Sequence, residues 1–130
     1  MASVLAKRGE FMARAVGIGG VFFRAADAPG LAEWYEKHLG IDNLHKSVWQ
    51  QDAGMTIFGP FARDSDYFGR AEQQWMINFR VDDLDALIAK LTDEGVEVET
   101  RAEWDSEVGR FARIHDPEGN PVELWEPART

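Results

Sequence analysis

Two stretches of this chain follow one pattern at a constant offset, and that repetition limits the fold more than any other feature. Gly20-Val-Phe-Phe-Arg-Ala-Ala-Asp27 and Met76-Ile-Asn-Phe-Arg-Val-Asp-Asp83 are related so that Phe23, Arg24 and Asp27 recur as Phe79, Arg80 and Asp83, each 56 positions later. Both are short apolar runs rich in aromatic and β-branched residues, the signature of a strand. Each runs into an aspartate whose carboxylate can accept from the unpaired N–H groups of a first helical turn.

A helix is predicted after each aspartate. Leu84, Leu87, Ile88 and Leu91 fall at i, i+3, i+4 and i+7 and form one apolar stripe. The same offset backwards gives Ala28, Leu31, Ala32 and Tyr35, again at helical spacing, with Pro29 suited to a first turn. Gly40 and Gly95 supply residues able to take the left-handed conformation at a helix end. Further strands follow each helix, with a hairpin expected near residues 46–60 and another near 108–126. Asp52-Ala-Gly54 leads into Met55-Thr-Ile-Phe-Gly-Pro60, and Asp116-Pro-Glu-Gly-Asn-Pro leads into Val122-Glu-Leu-Trp-Glu-Pro127. Aligned at their prolines, Thr56 matches Glu123 and Phe58 matches Trp125. The expectation is an α+β domain of two βαβββ modules over residues 16–127. Module one is 16–60, a linker spans 61–74, and module two is 75–127. Residues 1–15, locally basic through Lys7, Arg8 and Arg14, read as an N-terminal extension. Asp64-Ser65-Asp66 in the linker lacks the glycine and terminal glutamate of an EF-hand loop and reads as a solvated turn.

Composition narrows the function. A net charge of −9 disfavours nucleic acid and anionic membrane surfaces, both of which are recognised through clustered Lys and Arg. Without cysteine the chain has no thiol nucleophile, thiolate metal site or disulfide. No apolar run reaches the length of a membrane span, and the opening Met1–Ala6 is too short for a signal-peptide core. A cytoplasmic location is expected.

A duplicated βαβββ chain resembles the vicinal-oxygen-chelate superfamily of glyoxalase, bleomycin-resistance and extradiol-dioxygenase-like proteins. The resemblance is carried by Asp116-Pro-Glu-Gly-Asn-Pro-Val-Glu-Leu-Trp-Glu126, by Phe79-Arg-Val-Asp-Asp83 and by Trp34-Tyr-Glu-Lys-His-Leu-Gly40. It implies a cup-shaped sheet in which each module offers one metal ligand from its first strand and one from its last. In this chain those positions are Gly20, Met76, Thr56 and Glu123. Glycine has no donor, and a thioether or hydroxyl replaces imidazole or carboxylate poorly on a divalent ion. Only Glu123 matches, whereas a catalytic site takes roughly three protein ligands. No metal and no cofactor are therefore expected. His38 and His45 read as surface or edge residues, and His115 as structural or lining a cavity.

Strand alternation places side chains beside those positions. Phe22 and Arg24 share a face with Gly20, Asn78 and Arg80 with Met76, Phe58 with Thr56, and Trp125 and Pro121 with Glu123. The expected ligand-binding residues are Phe22, Arg24, Thr56, Phe58, Met76, Asn78, Arg80 and Trp125, with Glu123 as the candidate catalytic group. An aromatic face with a few polar groups suits a small organic molecule. The same face could equally be closed as core, with Glu123 paired to an arginine, and that pairing ranks ahead of catalysis. Three functions stay open: a metal-independent binder of a small organic molecule, a lyase or isomerase using Glu123 as base or metal ligand, and a structural or regulatory dimer with a filled cup. A homodimer is expected in which modules pair within or across chains.

Overall fold

A computed structural model describes residues 13–41 and 48–129. His45 and residues 1–12 of the expected extension lie outside the described residues, while Ala13–Ala15 are exposed and carry no regular structure.

Both helices begin and end where the capping pattern predicts. In α1 (Ala28–Leu39) the Asp27 carboxylate accepts the Gly30 N–H at 3.0 Å, Pro29 occupies the first turn, and Gly40 closes the end at φ 72°. In α2 (Leu84–Asp93) the Asp83 carboxylate accepts the Ala86 N–H at 3.1 Å. Its last turn closes through Glu94 into Gly95 at φ 84°. Lysines or a histidine in the last turns suit the negative end of each helix.

Three strands form one sheet: β1 (Ile77–Arg80), β2 (Gly109–His115) and β3 (Pro121–Pro127), in the order β1-β3-β2. β1 runs parallel to β3, and β2 and β3 form the expected antiparallel hairpin. Beyond β2, Glu99 bridges Arg113 through two 2.8 Å backbone bonds, so residues around Glu99 lie along that edge.

The helices cover one face of the sheet. Ala112, Ile114, Val122 and Leu124 are completely buried there against Leu31, Tyr35, Ile41, Leu84 and Leu91. Phe23, Phe79, Val81, Leu87 and Ile88 pack around this core. The apolar stripes predicted for both helices thus face a common sheet, and that burial is the main favourable term in the fold.

The Asp116 turn ties the halves of the chain together. Asp116 is 4% exposed, and its carboxylate accepts from the Glu118 and Asn120 N–H groups at 2.9 and 3.0 Å, and from the Asn120 amide. It also accepts the Tyr35 hydroxyl of α1 at 2.7 Å. Burial and the adjacent carboxylate push the Tyr35 phenol well above its ordinary value. Two residues on, the Glu118 carboxylate accepts the Ala26 and Asp27 N–H groups at 3.0 and 3.1 Å and so anchors the start of α1. At the other end of α1, His38 is buried rather than at the surface as the sequence implies. Its Nδ1 lies 2.9 Å from the Glu94 carboxylate, which Lys90 also reaches at 3.1 Å. These two neighbours hold Glu94 below the usual carboxylate range.

Module one meets expectation in its helix and differs in its strands. Among the described residues no strand precedes Ile77, so Gly20–Asp27 and Met55–Pro60 belong to no sheet and the expected hairpin near 46–60 is not formed. Residues 46 and 47 of that hairpin lie outside the described residues. Apolar alternation identifies residues able to form a strand, but it does not specify which edge they pair with. The described residues of one chain therefore build an open three-stranded sheet rather than a closed cup.

Tyr35→Phe removes one buried bond to a charged acceptor while leaving Asp116 its other donors. The expected loss is about 1.5 kcal/mol of unfolding free energy, measured by urea denaturation. An unchanged midpoint would show that the turn holds α1 without this hydroxyl.

Candidate functional site

The sheet face opposite the helices carries the polar groups. Register sets Asn78 beside Glu123 and Arg80 beside Trp125 across β1 and β3. Across β2 and β3 it sets Phe111 beside Trp125, Arg113 beside Glu123 and His115 beside Pro121. Side chains two apart share a face, so these residues form one surface with Glu123 at its centre.

Glu123 is half-buried and already satisfied. One carboxylate oxygen accepts the Asn78 amide at 2.7 Å, and the other accepts the Tyr67 hydroxyl in a short bond. The expected pairing with an arginine is not what forms. Arg113 stands directly opposite in register, yet among the described residues no ion pair joins it to Glu123. The Tyr67 hydroxyl takes the place an arginine would fill. Burial, then the Glu123 bond and its charge, push the Tyr67 phenol up to about 12, with Arg113 pulling the other way.

Arg113 occupies an aromatic slot. Its guanidinium lies 4.6 Å from the Tyr67 ring centre and 5.4 Å from that of Trp104. Arg101 lies 5.3 Å from the Trp104 ring, and Tyr67 meets Trp104 edge-on and stacks on Phe61. A cleft of about 540 Å³, lined by Glu97, Val98, Glu99, Thr100, Arg113 and His115, opens beside it. A second, of about 240 Å³, lies at Trp34, Val96, His115 and Pro117. His115 is exposed and lines both.

Trp125 is the other fixed point. It is 3% exposed, its indole N–H donates to the Val108 carbonyl at 2.9 Å, and its ring stacks on Phe111 at an interplanar angle of 4°. Gly109, at φ 139°, permits this: a Cβ there would collide with the Trp125 indole and the Glu126 carbonyl.

Of the residues singled out from sequence, Asn78, Glu123 and Trp125 come together on this face, with Arg80 in register. Met76 is half-buried just before β1. Arg80 is turned to other work, donating to the Asp52 carbonyl at 3.0 Å with its guanidinium against Gly54. Phe22, Arg24, Thr56 and Phe58 are exposed and belong to no strand, as does Gly20. Sequence reasoning did not single out Tyr67, Trp104, Phe111 or Arg113. The last two were findable: a turn at Asp116–Gly119 fixes the hairpin register, which puts Phe111 and Arg113 opposite Trp125 and Glu123. Tyr67 and Trp104 come from segments without a period.

The donor set does not suit a divalent ion. Glu123 is its one strong ligand and has both oxygens engaged, and among the described residues no group of three or more His, Asp or Glu could hold a metal. Nor, among them, is any helix long and apolar enough to cross a membrane.

Comparison with known proteins agrees with this architecture. A family model described as a glyoxalase-like domain matches residues 20–125. No curated protein matches the chain. TnmS3, an antibiotic binding protein from Streptomyces sp. CB03234, is 21% identical over 89% of this chain and 100% of that one, with a TM-score of 0.57. A member of the glyoxalase/bleomycin resistance protein/dioxygenase superfamily from Sphaerobacter thermophilus DSM 20745 is 20% identical over 78% of this chain and 90% of that one, with a TM-score of 0.43. At 21% identity the likeness to TnmS3 is one of fold.

The Tyr67 bond gives an optical prediction. The chain has two tyrosines, both raised above the ordinary 10. The folded state holds the Tyr67 proton more tightly than the unfolded chain does. Its contribution to stability is therefore complete below pH 10 and lost as pH rises through about 12. Ultraviolet titration of the folded protein should show no phenolate near pH 10, and Tyr67→Phe should remove the first step seen above it. A tyrosine ionising at pH 10 in the folded state would contradict the Glu123 contact.

Proposed function

The chain belongs to the glyoxalase-like domain family, and we propose that it binds a small organic molecule on the Glu123 face of its sheet, without a catalytic metal or cofactor. The observation that carries this reading is the make-up of that face. Tyr67, Trp104, Phe111 and Trp125 supply aromatic area, and a few oriented polar groups stand among them beside an open cleft. Pockets for small molecules are built from these ingredients. The name of TnmS3, an antibiotic binding protein, points the same way. Asn78, Met76 and Trp125 would line the site, and Glu123 orients its neighbours. Each Glu123 oxygen already accepts one donor, an arrangement that favours a positioning role over that of a general base. A binding role therefore ranks ahead of a lyase or isomerase.

The working unit in this reading is a homodimer. Val16, Ile18, Val21, Phe22, Val48, Trp49, Met55, Ile57, Phe58 and Phe61 are all exposed in one chain, Phe22 at 94% and Phe58 at 85%. Large apolar side chains exposed in that number favour an interface over a solvent surface. Module one (16–60) would pair its strands across the two-fold with a second copy, completing two cups and bringing Phe22, Arg24, Thr56 and Phe58 over the Glu123 face. Linker 61–74 would then lie between module one and module two (75–127). A cytoplasmic protein with no nucleic acid or membrane partner fits the net charge of −9.

Purified protein should sediment as a dimer at micromolar concentration, with Phe22→Asp and Phe58→Asp shifting it to monomer. Titration with a panel of small aromatic molecules, antibiotics included, should raise the melting temperature and quench tryptophan emission. Phe58→Ala should weaken the tightest binder at least tenfold. A dimer that binds none of the panel would leave the structural or regulatory reading in its place, and a monomer would overturn the homodimer. Elemental analysis after chelator-free purification should find no stoichiometric transition metal, and one equivalent lost on Glu123→Ala would reverse that assignment.

A further inference from the structure

Arg113 is a buried polar group of this face whose guanidinium keeps two nitrogens without acceptors. It is 8% exposed, and among the described residues its Nε and Nη2 are buried with no hydrogen-bond partner. The natural partner, Glu123, sits opposite in the hairpin register but takes its donors from Tyr67 and Asn78 instead. The aromatic rings of Tyr67 and Trp104 compensate the charge in part, yet a π-face does not replace acceptors for N–H groups in a fixed planar fork. Burying guanidinium donors without acceptors is costly, and such groups in native structures call for a specific reason.

We infer that Arg113 is the acid-reading group of the site, and that the molecule bound there is a planar aromatic carrying a carboxylate or ionised enol. This rests on the small-molecule reading above and specifies its ligand. The guanidinium fork matches two coplanar oxygens. Tyr67 and Trp104 supply stacking area for a flat body, and Arg113 also lines the cleft, from which an entering acid would draw the buried Nε–Nη2 edge toward itself. The carboxylates around the cleft set a limit on charge. Glu99 is held by Arg101 at 2.7 Å, while Glu97 is exposed beside it. One negative group can reach Arg113 past them, whereas a doubly charged phosphate meets stronger repulsion. The polarity is opposite to that suggested by Glu123 alone, which would orient a cation.

The test uses three matched probes on the full chain: 2-naphthoate, 2-naphthalenemethanol and 2-naphthylmethylammonium, followed by tryptophan emission. Naphthoate should bind at least tenfold tighter than either of the others. Arg113→Met, which keeps an unbranched apolar stem and removes the charge, should bring naphthoate down to the affinity of naphthalenemethanol, and Arg113→Lys should retain part of the preference. Because Arg113→Met removes two donors that have no acceptors among the described residues and gives up only ring contacts of the charge, the melting temperature should fall little. Binding of the neutral probe with no preference for naphthoate overturns this inference and leaves the small-molecule reading standing. If no probe binds, both fail. A marked fall in melting temperature on Arg113→Met, with naphthoate affinity unchanged, makes Arg113 structural and also overturns it.

Discussion

The carboxylate of Asp116 is the constraint on which the rest of the structure depends. Sitting at the β2–β3 turn, it gathers two backbone amides, a side-chain amide and a phenol at a buried position. The amides fix the turn, and the turn fixes the register of the hairpin. Register in turn decides that Glu123 meets Arg113 and Trp125 meets Phe111; a one-residue slip would send these groups to the helix side. The phenol extends the same control to α1. A single buried charge, fully supplied with donors, thus sets both the site's geometry and the packing of a helix from the other half of the chain.

Much of this was legible in the residues. Asp27, Asp83, Gly40 and Gly95 act where short-range chemistry alone predicts, because a helix end must satisfy its own amides and carbonyls. Apolar stripes located the core, since burial follows periodicity. Asp116-Pro-Glu-Gly119 announced the closing turn, and β3 followed from it. The departures are all long-range. Nothing in a linker of polar and aromatic residues says that Tyr67 will reach Glu123 before any arginine can. His38 looked like a surface residue because its partner, Glu94, lies in the other helix. Module one's alternating apolar residues signalled strands, and among the described residues they form none, because alternation gives a propensity and not the edge it pairs with.

The site also shows how satisfaction and function separate. Glu123 drew attention as the position that matches a metal-ligand pattern, yet both its oxygens have donors within the chain. Arg113 matches no pattern and has bonds to spare. In a buried setting the group with unmet donors carries more information about what the site accepts than the group with a familiar address. The aromatic slot that houses the guanidinium also keeps it away from the nearest carboxylate, through the ring and hydroxyl of one tyrosine.

The Glu118 contact to the Ala26 and Asp27 amides has a consequence for how the chain is made. Synthesis runs from the N-terminus, so α1 emerges some ninety residues before the turn that anchors its first turn. Until that hairpin leaves the ribosome, Leu31 and Tyr35 of α1 have no β2–β3 face to be buried against. The vulnerable interval is therefore vectorial. A nascent chain halted anywhere before Asp116 carries the apolar stripe of α1 uncovered, and the last hairpin is the step that buries it.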